Sequence, residues 1–179
     1  MKFEPFKADT TAVKTFDCGS KELNDFLCTN EVNDFENELM GKTTLVFCQG
    51  TLVGYYTLYS TMLRLDYLKT FKSFAKLAEL HADGIPSLAI GRLAVDNGWQ
   101  DQGIGSYIVL KIAMDALFSP DRAGSRLLLV QAKKDAFPFY EKLGFQFTVD
   151  TKSEQKRFKA RGTRTMFLDL AVLKKDIKG

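Results

Sequence analysis

Short apolar runs separated by turn residues dominate the pattern of this chain and predict a sheet. Residues 43–48 and 52–60 are rich in β-branched and aromatic residues, and the glycine-containing turn at 49–51 joins them, so the two runs predict an antiparallel hairpin. Residues 87–95 and 125–132 are predominantly apolar and bounded by turn signals, which is typical of strands covered on both faces. Further strands are predicted at residues 2–7, with Pro5 indicating a sheet edge, at 145–149 and at 165–170.

Apolar residues at helical spacing predict a first helix early in the chain. Leu23, Phe26 and Leu27 form an apolar stripe. Ser20 precedes the stripe and is a suitable N-cap, so the helix is expected to begin there and to continue towards Leu39.

Two further helices are predicted on similar grounds. Residues 67–80 place aromatic and aliphatic side chains at helical intervals among lysines, which predicts a short amphipathic helix. Asp135 can begin another helix, Pro138 is tolerated in its first turn and Gly144 can end it. The basic segment 152–164, between the last two strands, is expected to be mobile.

A turn with two glycines follows the apolar run 87–95. Gly103 and Gly105 are expected to take backbone conformations closed to residues with a Cβ. A helix begins at this turn, since apolar residues recur at i, i+4 and i+8: Ile104, Ile108 and Ile112. Strand, turn and helix N-terminus together predict an anion site. The turn fits neither GxGxxG, because Val109 falls near the third position, nor a Walker loop, because no Gly-Lys-Ser/Thr follows.

Composition sets bounds on the class of protein. The chain of 179 residues is expected to be one domain, 1–179, and 45% hydrophobic and 26% charged residues are those of a globular protein. A net charge of +3 does not by itself call for nucleic acid or membrane. The charge is unevenly distributed, however: residues 17–38 are acidic and residues 152–164 are basic.

The cysteines and the only histidine exclude several kinds of site. Cys18, Cys28 and Cys48 are odd in number and form no CxxC pair, so neither a disulfide framework nor a zinc site is indicated. His81 leaves no histidine cluster for a metal and is interpreted as a helix C-terminal residue. No signal peptide or membrane span is recognisable, so we expect a cytoplasmic protein.

Three segments in order resemble the GNAT family of acetyl-CoA-dependent N-acetyltransferases. They are Arg92-Leu-Ala-Val-Asp96, Gln100-x-x-Gly103-x-Gly105 and Phe139-Tyr140-x-x-x-Gly144-Phe145. The resemblance implies a single-domain α/β fold, with a mixed, mostly antiparallel sheet splayed at the central strand and helices on both faces.

The resemblance also implies acetyl-CoA as co-substrate, without a metal, and it assigns residues to bind it. Main-chain groups of the central strand would bind pantetheine, and the amides of the turn would hold the pyrophosphate. Two polar residues at the end of the next strand and just after it would either contact CoA or be merely exposed. These cofactor-binding residues are Leu93, Ala94, Val95, Gln100, Asp101, Gln102, Gly103, Ile104, Gly105, Gln131 and Lys134. Tyr140 would be the catalytic acid that protonates the departing thiolate, and the alternative for Tyr140 is an aromatic of the core.

Two residues near the turn keep two interpretations each. Asp96 is either a general base or a carboxylate that accepts turn hydrogen bonds. Arg92 is either a cation beside the acceptor pocket or a structural ion-pair partner. Transfer is expected to be direct, because no residue stands out as a nucleophile with its own base.

The acceptor is expected to be a primary amine of unresolved identity. The segments Phe16-x-Cys-Gly-x-x-x-Leu23-x-x-Phe26-Leu27 and Val53-Gly-Tyr-Tyr-Thr-Leu58 resemble a GNAT subgroup that includes toxins acetylating aminoacyl-tRNA. That subgroup implies a charged tRNA as acceptor and a ribbon-helix-helix antitoxin as partner, and a homodimer is a further candidate. Phosphates would then meet basic residues: Lys69, Lys72, Lys76 and those of 152–164.

Other acceptors and functions compete with tRNA. The acidic first helix argues against an RNA-facing surface and favours a small-molecule or peptide amine. A catalytically degenerate CoA-binding sensor is the non-enzymatic alternative. An RNA-binding module without chemistry has only the basic segment in its favour, and it lacks an aromatic stacking platform.

Overall fold

The computed structural model describes residues 1–8, 10–75, 84–118 and 124–178. Within these residues seven strands form one sheet in the order β1-β2-β3-β4-β5-β7-β6. The strands are β1 Lys2–Pro5, β2 Lys42–Cys48, β3 Thr51–Arg64, β4 Gly84–Val95, β5 Leu127–Lys133, β6 Gln146–Phe147 and β7 Thr163–Asp169. Every predicted strand is therefore present, and β1 lies at the sheet edge, as Pro5 indicated.

Antiparallel pairing prevails in the sheet. β1 pairs with β2, β2 with β3, and β7 with both β5 and β6, all antiparallel. Cys48 pairs with Thr51, which leaves a two-residue turn in which Gln49 and Gly50 have φ angles of 49° and 82°. Positive φ at both turn residues matches the twist of the flanking strands. The hairpin and the mostly antiparallel α/β sheet are confirmed.

Helices fill the connections between the strands. Among the described residues, the α-helices of more than one turn are α1 Lys21–Cys28, α2 Glu31–Asn37, α3 Ile104–Phe118, α4 Phe137–Lys142, α5 Lys152–Arg161 and α6 Leu170–Lys178. Short 3₁₀ helices lie at Thr11–Thr15, Leu65–Tyr67, Lys72–Phe74, Asn97–Trp99 and Lys134–Ala136. In α4, Pro138 lies in the first turn and Gly144 follows the end with φ 85°, as predicted.

The predicted first helix is in fact two helices. Thr29, after α1, is extended with φ −108° and ψ −171°, and its hydroxyl accepts a hydrogen bond from the N–H of Glu31 at the start of α2. Threonine competes with the helix by such local hydrogen bonds, so the expectation of one helix towards Leu39 is wrong. Ser20 precedes α1, but its side chain makes no capping hydrogen bond.

The predicted helix over residues 67–80 lies only partly within the described residues, and of these Ala75 alone is α-helical. Residues 65–74 form two short 3₁₀ turns, in which Phe71 and Phe74 pack edge-on against Phe167 with ring centroids 5.0 and 5.8 Å away. These packing contacts outweigh the helical spacing of the aromatic residues. Lys76 and His81 lie outside the described residues.

The basic segment is not a mobile connector, because most of it forms α5. Thr151 caps this helix by accepting a hydrogen bond from the N–H of Glu154, and Gly162 ends it in the left-handed conformation with φ 65°. The buried carboxylate of Glu154 also pairs with Arg157. Both ends of the helix are thus defined, and one side chain anchors its first turn.

By contact density the chain forms two compact units, of residues 1–59 with 90–109 and of residues 60–89 with 110–179. The first unit has an aromatic core in which Phe16 and Phe26 pack on Tyr55. In the second unit the guanidinium of Arg126 and the carboxylate of Asp169 form a bidentate ion pair at 2.6 and 2.8 Å between β5 and β7. β3, β4 and α3 contribute residues to both units, and a single domain stays a prediction.

No helix within the described ranges is long and apolar enough to cross a membrane.

Candidate active site

The C-terminal half of β4 carries three residues predicted to bind pantetheine: Leu93, Ala94 and Val95. Ala94 is buried, and Leu93 and Val95 are half-buried. Gly54 of β3 lies so close that a Cβ added to it would be 2.7 Å from the carbonyl oxygen of Ala94. The missing side chain at Gly54 therefore permits a close approach of the two backbones at this point. Pantetheine binding by β4 stays a prediction.

Asp96, directly after β4, holds two turns in place. Its Oδ1 accepts a hydrogen bond from the N–H of Gly98 at 3.0 Å, and its Oδ2 accepts one from the N–H of Asp17 at 3.2 Å. Of the two interpretations of this carboxylate, the geometry supports the acceptor of turn hydrogen bonds rather than the general base.

Gln100 acts as a brace between the glycine turn and the loop before α1. Its Nε2 donates to the carbonyl oxygens of Cys18 at 3.0 Å and Val95 at 2.9 Å, and to Oδ1 of Asn97 at 3.2 Å. The amide nitrogen is therefore already engaged within the protein. A contact of Gln100 with the pyrophosphate stays a prediction, and it would have to be made by the backbone N–H, because the side-chain carbonyl can only accept hydrogen bonds.

The loop before α1 completes this brace with residues that the sequence analysis did not assign to the site. Oδ1 of Asp17 accepts hydrogen bonds from the N–H of Gly19 at 2.8 Å and from Nδ2 of Asn24 at 2.7 Å. These two hydrogen bonds, that of Gly19 first, lower the pKa of the Asp17 carboxyl below its ordinary value. The N–H of Asn97 donates to the carbonyl oxygen of Asp17 at 2.8 Å. The Phe16-x-Cys-Gly segment was the available signal, but its spacing alone does not show which loop it binds.

Gly103 leaves the N-terminus of α3 open. It has a φ angle of 79°, and a Cβ at this position would meet no atom within 4 Å. Its carbonyl oxygen accepts the first helical hydrogen bond, from the N–H of Tyr107 at 3.0 Å. The next three N–H groups, of Ile104, Gly105 and Ser106, cannot find acceptors inside the helix. An open helix N-terminus with unpaired N–H groups fits a diphosphate.

The expectation for the second glycine of the turn is wrong. Gly105 lies in the first turn of α3 and does not have a positive φ angle. The second residue of the turn with positive φ is instead Asp101, at 59°, a conformation that aspartate tolerates better than most residues. The side chain of Gln102 donates from Nε2 to the carbonyl oxygen of Gly98 at 3.1 Å and so stiffens the turn.

Tyr140 lies in α4 with a buried ring and a hydroxyl that has no hydrogen-bond partner among the described residues. The ring packs edge-on against Phe139 and Phe145, with centroids 4.9 and 5.3 Å apart. Burial raises the pKa of the Tyr140 phenol above its ordinary value. The hydroxyl therefore stays protonated at neutral pH, as a general acid must. Both interpretations of this residue fit its packing, and its catalytic role stays a prediction.

The other two predicted cofactor contacts lie at the end of β5 and just after it. Gln131 is exposed, and its Nε2 donates to Oγ1 of Thr165 on β7 at 3.0 Å. Lys134 is exposed at the start of a 3₁₀ turn and forms no ion pair with any described residue. Their contacts with CoA stay predictions.

One of the two interpretations of Arg92 was a structural ion pair, and Arg92 forms no such pair with the described residues. Its guanidinium carbon lies 3.6 Å from the ring centroid of Phe26 and 5.3 Å from that of Phe35, and no described carboxylate pairs with it. The cation is held by two aromatic rings, one from α1 and one from α2.

Among the described residues no group of histidine, cysteine or acidic side chains is arranged to hold a metal ion.

Comparison with known proteins identifies the family. Residues 43–147, more than half of the chain, match the acetyltransferase (GNAT) domain family. This chain belongs to the GNAT acetyltransferase family. The matched range contains the end of β4, the glycine turn and Tyr140, the three pieces that carry the resemblance in the sequence. The chain is accordingly an acyltransferase that uses acetyl-CoA as acetyl donor.

Known members similar to this chain include bacterial toxins. The tRNA-acetylating toxin of Mycobacterium tuberculosis (strain ATCC 25618 / H37Rv) is 27% identical over 143 residues, which cover 79% of this chain and 82% of the toxin. The structure of AtaT complexed with acetyl-methionyl-tRNAfMet is similar with a TM-score of 0.77, at 24% identity over 98% of both chains. A bacterial toxin of 17% identity has a TM-score of 0.81 and covers 99% of this chain and 94% of its own.

Proposed function

We propose that this chain transfers the acetyl group of acetyl-CoA to the α-amine of an aminoacyl-tRNA. The structural observation that carries the proposal is the cationic face of α5, formed by Lys152, Lys156 and Lys159. These lysines follow at i, i+4 and i+7, so they line one side of the helix. All three are exposed, and none pairs with a described carboxylate. A row of unpaired cations suits the phosphate backbone of an RNA.

The similar proteins support the same acceptor. One relative is named as a tRNA-acetylating toxin, and a structure of similar fold contains acetyl-methionyl-tRNA. An acceptor of that kind brings the reactive amine and a string of phosphates in one molecule. Binding of these phosphates would require a basic surface such as that of α5, whereas binding of a small amine would not.

The acidic surface of α1 and α2 favours the second candidate, a small-molecule or peptide amine. Some of these carboxylates have structural roles: Asp25 pairs with Lys21, and Glu36 both pairs with Lys42 and accepts the N–H of Thr43 at 2.7 Å. Other exposed acids, such as Glu31 and Glu38, would attract a cationic amine and repel RNA. A charged tRNA must therefore be held by α5 rather than by α1 and α2.

The proposed reaction is a direct transfer. The uncharged amine attacks the carbonyl carbon of the thioester and forms the new C–N bond, and a backbone N–H of β4 stabilises the oxyanion of the tetrahedral intermediate. The C–S bond then breaks, Tyr140 donates its proton to the CoA thiolate, and the surplus proton of the amine leaves to water. Tyr140 regains its proton from solvent. A phenol with a raised pKa and no internal hydrogen-bond partner supports this assignment.

The donor would be held by the open N-terminus of α3. The N–H groups of Ile104 and Gly105, beside Gly103, would bind the pyrophosphate, and the main chain of β4 would bind pantetheine. Gln131, near the end of β5, and Lys134, just after this strand, would contact CoA. A domain that binds CoA only as a sensor would use the same groups, but it would not need a protonated, unpartnered Tyr140.

The proposed partners follow from the same function. Structures similar to this one include AtaT bound to the C-terminus of the antitoxin AtaR. We propose a ribbon-helix-helix antitoxin as the partner of this chain, a second copy of the chain as another, and a cytoplasmic location.

An acceptor panel tests the proposed function. The purified chain is incubated with labelled acetyl-CoA and, separately, an aminoacyl-tRNA, the same tRNA without its amino acid, a polyamine and a peptide. We expect label on the aminoacyl-tRNA and none on the deacylated tRNA. If only the polyamine or the peptide is acetylated, the acceptor is a small-molecule or peptide amine and not an aminoacyl-tRNA. Acetyl-CoA binding without turnover of any acceptor would favour the sensor.

A further inference from the structure

Arg92, in β4, is a half-buried cation without an acidic partner among the described residues. Its guanidinium lies on the face of the strand covered by α1 and α2, 3.6 Å from the ring centroid of Phe26. Both helices are rich in carboxylates, yet the described ones make no ion pair with this cation. A charged side chain that is partly buried is normally paired, so an unpaired one points to a ligand.

The aromatic residues that carry Arg92 form a rigid support. The ring of Phe26 is 1% exposed, stacks on Tyr55 with centroids 6.1 Å apart, and meets Phe35 edge-on at 5.7 Å. Phe35 in turn packs on Gly41, where a Cβ would lie 2.7 Å from its ring. The guanidinium is therefore held in one place, as a group that selects a ligand must be.

A guanidinium stacked on an aromatic ring keeps its hydrogen-bond donors free. Its five N–H groups lie in the plane of the group, whereas the contact with the ring uses the face of that plane. No residue within the described ranges accepts a hydrogen bond from Arg92. The free donors form a planar fork that suits oxygen acceptors such as carbonyl or carboxylate groups.

The position of Arg92 along β4 indicates which ligand it meets. Ala94, in the segment proposed to bind pantetheine, is two residues further on, so the two side chains lie on the same face with Cα atoms about 7 Å apart. The pyrophosphate of CoA would lie elsewhere, at the glycine turn after the end of β4. An oxygen bound by Arg92 would therefore belong to the acceptor rather than to the CoA diphosphate.

We propose that Arg92 binds the carbonyl oxygen next to the acceptor amine and thereby selects an α-aminoacyl group over a simple amine. The carbonyl carbon is two bonds from the amine nitrogen, so this one contact orients the nucleophile. An aminoacyl ester and the N-terminus of a peptide both have this carbonyl, whereas a polyamine lacks it. The inference rests on the proposed acetyl transfer and narrows the class of its acceptor.

Calorimetry with a matched pair of small acceptors tests the proposal without any transfer step. L-Methionine methyl ester and 3-(methylthio)propylamine have the same side chain and a primary amine, but only the ester has the carbonyl. Each is titrated into the full chain saturated with CoA, which carries no acetyl group. The ratio of the two affinities, ester over amine, measures the selectivity.

Arg92→Met removes the donors and keeps an apolar side chain on Phe26. We expect it to lower the affinity ratio about 10- to 100-fold, the contribution of a hydrogen bond to a charged group. The two amines differ in basicity, but this difference is the same for every variant and cancels in the comparison. Arg92→Lys, which keeps the charge without the planar fork, should lower the ratio by less.

Arg64→Met is the matched control, because Arg64 is an exposed arginine that pairs with Asp66 and has no assigned role. This variant should keep the affinity ratio of the intact chain. Circular dichroism should show that the variants are folded, and if Arg92→Met does not fold, the ratio for Arg92→Lys decides.

Three results would overturn the proposal. They are a ratio that the changes at Arg92 leave unaltered, binding of neither small acceptor to the intact chain, and tighter binding of free methionine than of its ester. In the last case Arg92 would select a carboxylate. The small acceptors carry no phosphate, so this test succeeds or fails independently of whether a tRNA is acetylated.

Discussion

The buried carboxylate of Glu154 holds Thr165 by two hydrogen bonds. Oε2 accepts the backbone N–H of Thr165 at 2.8 Å, and Oε1 accepts its hydroxyl at 2.8 Å. Arg157, one turn later in α5, pairs with the same carboxylate. Glu154 thus ties the basic helix to β7.

We predict that Glu154→Ala destabilises the fold, because it leaves the N–H of Thr165 without its acceptor and the guanidinium of Arg157 without its carboxylate partner. The free energy of unfolding should fall by ~2–3 kcal/mol, as measured by urea denaturation. Glu141→Ala, which removes an exposed carboxylate from α4, should change it by less than ~0.5 kcal/mol. Equal stability of the two variants would mean that Glu154 does not anchor α5.

Helix α5 shows why part of the fold escaped sequence analysis. Its sequence is polar on nearly every side, so it lacks the apolar period by which α3 was recognised. Two local signals were nevertheless present. Thr151 and Glu154 have the spacing of a capping box, and Gly162 is a suitable residue to follow a helix end. Its main anchor, the contact between Glu154 and Thr165, depends on the tertiary fold.

The glycine turn, in contrast to α5, was largely predictable from the sequence. Strand, turn and helix were predictable because consecutive residues supply all three, and the structure confirms their order. The brace from Gln100 to Cys18 was not predictable, since it joins residues 82 positions apart. The packing of Arg92 on Phe26 escaped for the same reason: cation–π contacts between distant segments leave no periodic signal.

We predict that Gly103→Val weakens acetyl-CoA binding about tenfold or more, because the new side chain would enter the open space at the N-terminus of α3. Gly162→Val is the matched control. Gly162 also has a positive φ angle, 65° against 79°, and open space around its Cβ position. Both variants should lose similar stability, ~1–2 kcal/mol, from strain in the backbone.

Calorimetry separates the two glycine variants. Acetyl-CoA should bind to Gly162→Val with the affinity of the intact chain and to Gly103→Val more weakly. If both variants bind acetyl-CoA with the same affinity, the open N-terminus of α3 is not part of the binding site.

Tyr140→Phe should lower turnover by ~10²–10⁴, because it removes the proposed proton donor and keeps the ring. Acetyl-CoA affinity and the melting temperature should change little. Tyr55→Phe serves as control, since the Tyr55 hydroxyl is bound to the carbonyl oxygen of Leu23 at 2.7 Å and has no assigned chemistry. If Tyr140→Phe reacts in a single turnover about as fast as the intact chain, Tyr140 is not the acid and serves only as an aromatic residue of the core.

The pH dependence of turnover gives a second test of Tyr140. The acid is active when protonated, and burial raises its pKa, so the active form should persist to higher pH than an exposed phenol allows. We therefore expect no loss of turnover from this group below about pH 10, the ordinary value for tyrosine. The neutral phenol also favours the folded state, so its contribution to stability is complete below about pH 10 and is lost as the pH rises further. A Tyr140-dependent fall in turnover between pH 7 and 9 would contradict the assignment.

If tRNA is held by α5, its affinity should fall steeply with salt, with a log–log slope of about −0.7 to −0.9 per phosphate contact. Reversal of Lys152, Lys156 and Lys159 to glutamate should reduce the slope by about 2–3 and leave acetyl-CoA affinity unchanged. The matched control reverses three exposed lysines outside α5, Lys14, Lys174 and Lys175, so that the change in net charge is the same. If the two sets of reversals weaken tRNA binding equally, net charge rather than α5 holds the RNA.

The central claim, acetyl transfer to a charged tRNA, is tested most directly by the chemistry of the product. The intact chain is given acetyl-CoA and a methionyl-tRNA, the RNA is digested, and the terminal adenosine is analysed by mass spectrometry. The account predicts N-acetyl-methionine esterified to that adenosine, at a rate that falls with Tyr140→Phe and with the reversals on α5. Unmodified methionyl-adenosine, under conditions in which the same preparation acetylates a small amine, would contradict it.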